Sequence, residues 1–168
     1  MTSPTPQIER VRLTRSIRVW ITIFIVGLVL SGVTAFPLQS ELSLLVHLST
    51  SFHLVEHAPA LNSWLVRVLF ALSDTNVRYP FLAYGTDWLA FGHLVIAVAF
   101  IGPWIDPVRN KWLISFGLIA CAGILPLALI AGAIRGIPFY WRLIDCGFGF
   151  FGCIPLLIVR RKIYRLEH

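Results

Sequence analysis

Residues 138–159 read PFYWRLIDCGFGFFGCIPLLIV, a run long and apolar enough to cross a bilayer that still carries Arg142 and Asp145 in its first third. That combination narrows the fold more than any other feature of the chain. A charge inside a membrane span costs a few kcal/mol even on lenient insertion scales, so both side chains must face protein or water rather than lipid. Their spacing of three places them on one helical face, and Gly149 and Gly152 continue that face inward, where the missing side chains let a neighbouring backbone come close.

Three more runs have the same length and character: 17–36, 84–105 and 112–134. Each is about the twenty residues that a hydrocarbon core of roughly 30 Å requires. The first is longer than a signal-peptide core and has no small-residue cleavage site before Pro37, so it reads as a retained helix. The expected fold is therefore an all-α integral membrane protein, a four-transmembrane-helix bundle. With 57% hydrophobic and 13% charged residues, the chain lies outside the soluble norm of about a quarter charged residues.

Residues 1–16 hold Pro4, Pro6 and three arginines and read as a cytoplasmic arm, and 17–165 form a single membrane domain. The segment 37–83 is too long for a structureless link and is predicted to hold two short external, interfacial helices. The first, 39–57, sets Leu44, Leu45 and Leu48 opposite Ser43, His47, Thr50, His53 and His57, and Pro59 ends it. The second starts at a cap on Asn62 or Ser63 and stops at the turn-like Ser73-Asp74-Thr75-Asn76. Leu166-Glu167-His168 reads as the remnant of an affinity tag.

The net charge of +6 raises the question of nucleic acid, but the basic residues sit in short clusters beside apolar runs, as in the cytoplasmic loops of membrane proteins. Arg10, Arg12, Arg15, Arg18, Arg109, Lys111, Arg160, Arg161, Lys162 and Arg165 fall on one side of the expected topology. Only Arg67, Arg78, Arg135 and Arg142 fall on or near the other. The positive-inside bias puts both termini in the cytoplasm of an inner-membrane protein whose constant partner is the lipid bilayer. A homo- or hetero-oligomer in the membrane stays open.

The second and fourth runs both head inward, which brings Asp87, Arg142 and Asp145 to similar depth, with Arg135 and Tyr140 at the same end and His93 deeper. These six are the candidate ligand-binding residues. They form either a charge clamp fixing helix register or an outward-facing pocket in which Arg142 holds an anionic or amphipathic ligand, or a membrane partner. His93 lies about 120° around its helix from Asp87 and is expected to bond a neighbouring helix.

His53-Leu54-Val55-Glu56-His57 has the HxxEH form of inverted zinc peptidases, but a third ligand and a cleft are missing, so His47, His53 and His57 are only weak metal candidates. No cofactor is implied, because a haem needs two histidines on facing spans and only His93 lies within one. The three cysteines, Cys121, Cys146 and Cys153, include no CxxC pair, which argues against a thiol oxidoreductase. Two other classes stay open: a membrane-embedded enzyme with Asp87, His93 or Asp145 as acid or base, and a structural subunit of a membrane complex.

Four spans with a long first outer segment, Trp88 and His93 in the second, Pro126 late in the third and Pro155 in the fourth resemble the layout of the emopamil-binding-protein-like (EXPERA) family. That resemblance implies a sterol isomerase or a receptor for lipid ligands. It carries over no individual residue.

Overall fold

The computed structural model describes residues 6–51 and 54–168. Helix dominates it, with no strand among the described residues. Four helical stretches, Gln7–Ala35, Pro80–Ile105, Lys111–Ile134 and Phe139–Glu167, are long and apolar enough to span a membrane. The shortest has 24 residues, about 36 Å at 1.5 Å per residue, against a hydrocarbon core of roughly 30 Å. Only 17–28% of each stretch's most apolar window is buried inside the protein, so most of this apolar surface needs a lipid solvent. The chain is an all-α, multi-pass membrane protein, consistent with a four-helix bundle.

The chain divides into two compact units. The first holds the described residues of Met1–Gly27 and Ala97–His168. In it the start of α1 (Pro6–Ala35) packs with α6 (Ile101–Ile105), α7 (Lys111–Pro126) and α9 (Phe139–Glu167), α6 following α5 (Ala83–Ala99). Ile17, Ile21, Phe100, Ile114, Leu156 and Val159 are fully buried. Glycine makes this packing possible at two points. A Cβ on Gly117 would stand 2.8 Å from Leu156 Cδ1 and 2.9 Å from Phe100 Cζ, and one on Gly149 would stand 2.6 Å from the carbonyl oxygen of Cys121. Helices in lipid have no hydrophobic drive to associate, so close backbone approach of this kind supplies the dispersion contacts that hold them.

Two polar devices fix one end of this unit. Arg18 Nε donates to Trp104 O at 3.2 Å, its guanidinium lies over the Trp104 ring, and Trp104 Nε1 donates to Thr22 Oγ1 at 3.1 Å. In the turn before α7, Asn110 Nδ2 donates to the carbonyls of Gly102 and Asp106, while Asp106 Oδ1 accepts the Arg109 N–H. Further on, Pro126 cannot donate a backbone bond, and the helix widens into a π-turn at Leu127–Ala131, where the Gly132 N–H reaches back to Leu127 O. The short α8 (Gly132–Ile134) follows, and Gly136, at φ 70°, turns the chain into α9.

The second unit is Leu28–Ile96. It contains α2 (Leu38–Ser51), α3 (Leu54–His57), α4 (Pro59–Arg78), a 3-10 turn at Pro80–Leu82 and most of α5. α2 and α4 run antiparallel. Ser49 Oγ donates to Asn62 Oδ1 at 2.8 Å at one end of the pair. Gln39 Nε2 donates to Ser73 Oγ at 3.2 Å, and Asn76 Nδ2 to Gln39 Oε1 at 2.7 Å, at the other. Leu42 and Leu65 are buried, whereas Leu44, Leu45, Leu48, Val66 and Phe70 are exposed.

Several local expectations change. α1 begins at Pro6, so the arm is helical over 6–16. Pro59 opens α4 at its first turn, where a missing N–H costs nothing, and Asn62 serves Ser49 instead of capping. Residues 73–76 continue the helix rather than turning: Ser73 and Asn76 bond Gln39, and Asp74 pairs with Arg78 at 2.9 Å one turn on.

Candidate functional site

Arg142 is the charged side chain that its surroundings treat most unusually. It sits on the first turns of α9, after Pro138 sets the N-terminus. Gly132 makes room for it, because a Cβ there would stand 2.7 Å from Arg142 Cδ and 2.9 Å from Cγ. The stem therefore lies across α8. Nη1 donates to Leu129 O in the π-turn at 3.1 Å, and the guanidinium lies 5.3 Å from the centre of the Phe139 ring. Nε is buried without a hydrogen-bond partner.

A hydrogen bond to a charged group contributes about 1.5–3 kcal/mol and a cation–π contact about 0.5–2. Against a cost of about 2.5–3.5 kcal/mol for arginine deep in a span, these contacts roughly hold the cation in place. They do not neutralise it. Asp145, half-buried one turn deeper, makes no ion pair with Arg142, contrary to what a shared face suggests. Helical side chains lean toward the N-terminus, so Arg142 reaches back to Gly132 and Leu129 and away from a carboxylate that follows it. Arg135 is exposed beyond α8, and Tyr140 is half-buried on the first turn of α9.

In the second unit, Asp87 is half-buried on α5 and lines a cleft of about 260 Å³ with Phe36, Gln39, Leu72, Asn76 and Thr86. Asn76 Oδ1 is buried without a hydrogen bond. His93 sits deeper, its Cβ 3.2 Å from where a side chain on Gly32 would begin. Its Nδ1 lies 2.8 Å from Leu89 O on its own helix, not on a neighbouring one as expected. A carbonyl only accepts, so Nδ1 is the donor in this bond.

His47 and His57 are exposed, and His53 lies outside the described residues. Among the described residues, no three of His, Cys, Asp and Glu are grouped to hold a metal. A contact that spacing does not reveal is that of Cys121 with α9: a Cβ on Gly152, the neighbour of Cys153, would stand 3.0 Å from Cys121 Sγ. The sequence signal for it was indirect: Gly149 and Gly152, which bring the two helices together.

Compared with protein-family models, curated proteins and solved structures, the chain finds no match. The emopamil-binding-protein-like layout thus remains a resemblance of span order alone.

Proposed function

We propose that this is an inner-membrane binding protein in which Arg142 holds the anionic head of a small amphipathic ligand while the ligand's tail lies among lipid-facing apolar side chains. The observation that carries this reading is the incomplete pairing of Arg142: one nitrogen on a carbonyl, one over-lying ring, no carboxylate from Asp145, and Nε without an acceptor. A guanidinium cannot shed its charge, so an anion is the natural complement to what the protein leaves unmet. The exposed Leu143, Phe139 and Ile134 nearby along the chain suit an aliphatic tail.

The test uses purified protein with a single-chain phosphate amphiphile and its zwitterionic phosphocholine counterpart as probes. The phosphate probe at a hundredfold excess over Kd should raise stability by about 2.7 kcal/mol, and Arg142→Gln should remove that gain while changing stability without ligand little. A ligand-free loss of about 3–5 kcal/mol on Arg142→Gln, with no response to either probe in the wild type, would instead mark a structural clamp.

The uneven division of basic residues supports cytoplasmic termini. In intact cells an impermeant thiol reagent should label a cysteine at Asn62 and spare one at Asn110. The opposite pattern would invert the topology and turn the Arg142 end toward the cytoplasm.

A further inference from the structure

We propose that the groove between the start of α7 and the end of α9 holds the phosphate headgroup of an anionic phospholipid. Its volume is about 410 Å³. Lys111 and Ser115 line it from α7, and Arg160, Tyr164 and Glu167 line it from α9, at positions that share one side of each helix. Ile114 and Ile163 are buried and form its floor, and Arg10 Nη2 holds the last turn of α9 through Leu166 O at 3.2 Å. The charges of the groove are unevenly paired. Lys111 Nζ meets Glu167 Oε1 at 2.6 Å. Among the described residues the only other ion pair is Arg78 with Asp74, so Arg160 has no carboxylate. Lys111 and Arg160 against Glu167 alone leave one positive charge unmet in a site that an oxyanion can enter.

The level of Arg160 points to a lipid rather than to a dissolved anion. α9 starts at Phe139, and Arg160 stands about 32 Å further along it, just past a hydrocarbon core of roughly 30 Å and so among the headgroups. α7 and α9 run antiparallel, so the Lys111–Glu167 pair forms the watery end of the groove and Arg160 lies about 10 Å nearer the hydrocarbon. The unpaired guanidinium therefore sits between two spans where phospholipid phosphates lie. Trp112 and Tyr164, both exposed, line the same groove, and such side chains favour the headgroup zone. A phosphodiester presents two oxygens to the fork of donors on Arg160, and the half-buried Ser115 offers a hydroxyl from the facing helix. Glu167 marks where Lys111 already holds an anionic oxygen. That pair is partly exposed and hence weak, so a phosphate can compete for Lys111, while the carboxylate repels it.

The experiment titrates the full chain in detergent micelles with dioleoyl phosphatidylglycerol or dioleoyl phosphatidylcholine and counts bound lipids by native mass spectrometry. Phosphatidylglycerol should bind about tenfold more tightly, and Arg160→Gln should remove most of that preference. Arg161→Gln takes the same charge from just outside the groove and should weaken binding by less than about threefold. Both arginines are exposed, so neither change disturbs packing. Glu167→Gln should tighten phosphatidylglycerol binding by removing the competing carboxylate. Equal binding of the two lipids would overturn the proposal. Equal losses from Arg160→Gln and Arg161→Gln would do the same, since they would mark a diffuse basic surface, and so would weaker binding by Glu167→Gln. Displacement of phosphatidylglycerol by millimolar inorganic phosphate would overturn the choice of a lipid over a dissolved anion. The preference should survive Arg142→Gln; a preference lost with Arg142→Gln and kept by Arg160→Gln belongs to the Arg142 site and overturns this one.

Discussion

The contact between α7 and α9 and the contact between α2 and α4 are both antiparallel helix pairs, and they are built from opposite materials. α7 and α9 meet through Gly117, Gly149, Leu156 and Cys121, with backbone close to backbone and few polar atoms between them. α2 and α4 are joined by side-chain hydrogen bonds at both ends, Ser49 with Asn62 and Gln39 with Ser73 and Asn76, around the buried pair Leu42 and Leu65. Lipid is as apolar as leucine, so the first pair gains stability only by fitting more tightly than lipid does. Where water is at hand, burying leucines is itself favourable and polar bonds set the register. The two interfaces thus differ in what holds them, close backbone fit at one and side-chain hydrogen bonds around two leucines at the other.

The strongest way to break that comparison is Gly149→Leu. Any side chain at 149 meets the Cys121 backbone at 2.6 Å, and backbone cannot swing aside as a flexible side chain can. A loss of about 3 kcal/mol is expected, the upper end for overpacking. Gly123→Leu on α7 has nothing within 4 Å and should be neutral or stabilising by up to about 1 kcal/mol, since glycine is a poor helix former. Reversible unfolding in mixed micelles measures both. Equal losses would mean that the α7 and α9 contact does not depend on glycine.

The four spans were readable because uninterrupted apolar runs of bilayer length have few other uses, and the close approach at Gly149 was readable from its place on the face of Arg142. The helices between the first two spans were harder. A helix pair satisfies Ser73, Asn76 and Asn62 from a partner distant in sequence, so residues that look like turns and caps sit inside helices. The partner of Arg142 was misjudged for a related reason. Spacing puts Asp145 on the right face, but side-chain direction and the room left by Gly132 send the guanidinium to Leu129, and neither is visible in a period.

The smaller effect belongs to the polar pair and sharpens the comparison from the other side. Ser49 is 4% exposed and its hydroxyl sits 2.8 Å from Asn62 Oδ1, so the bond is shielded from water although the helices around it are largely exposed. Ser49→Ala removes the donor and strands the amide oxygen, and Asn62→Ala removes the acceptor while the hydroxyl can still turn to Val46 O at 2.7 Å. The two changes are therefore unequal: about 1–2 kcal/mol for Ser49→Ala and about 1 kcal/mol or less for Asn62→Ala. Combined, they should lose less than the sum, because the double variant strands nothing, and the shortfall should be about 1 kcal/mol in a double-mutant cycle. Additive losses would show that α2 and α4 are held by Leu42 and Leu65 alone. In that case register along this pair, like that along α7 and α9, would be set by shape rather than by hydrogen bonds.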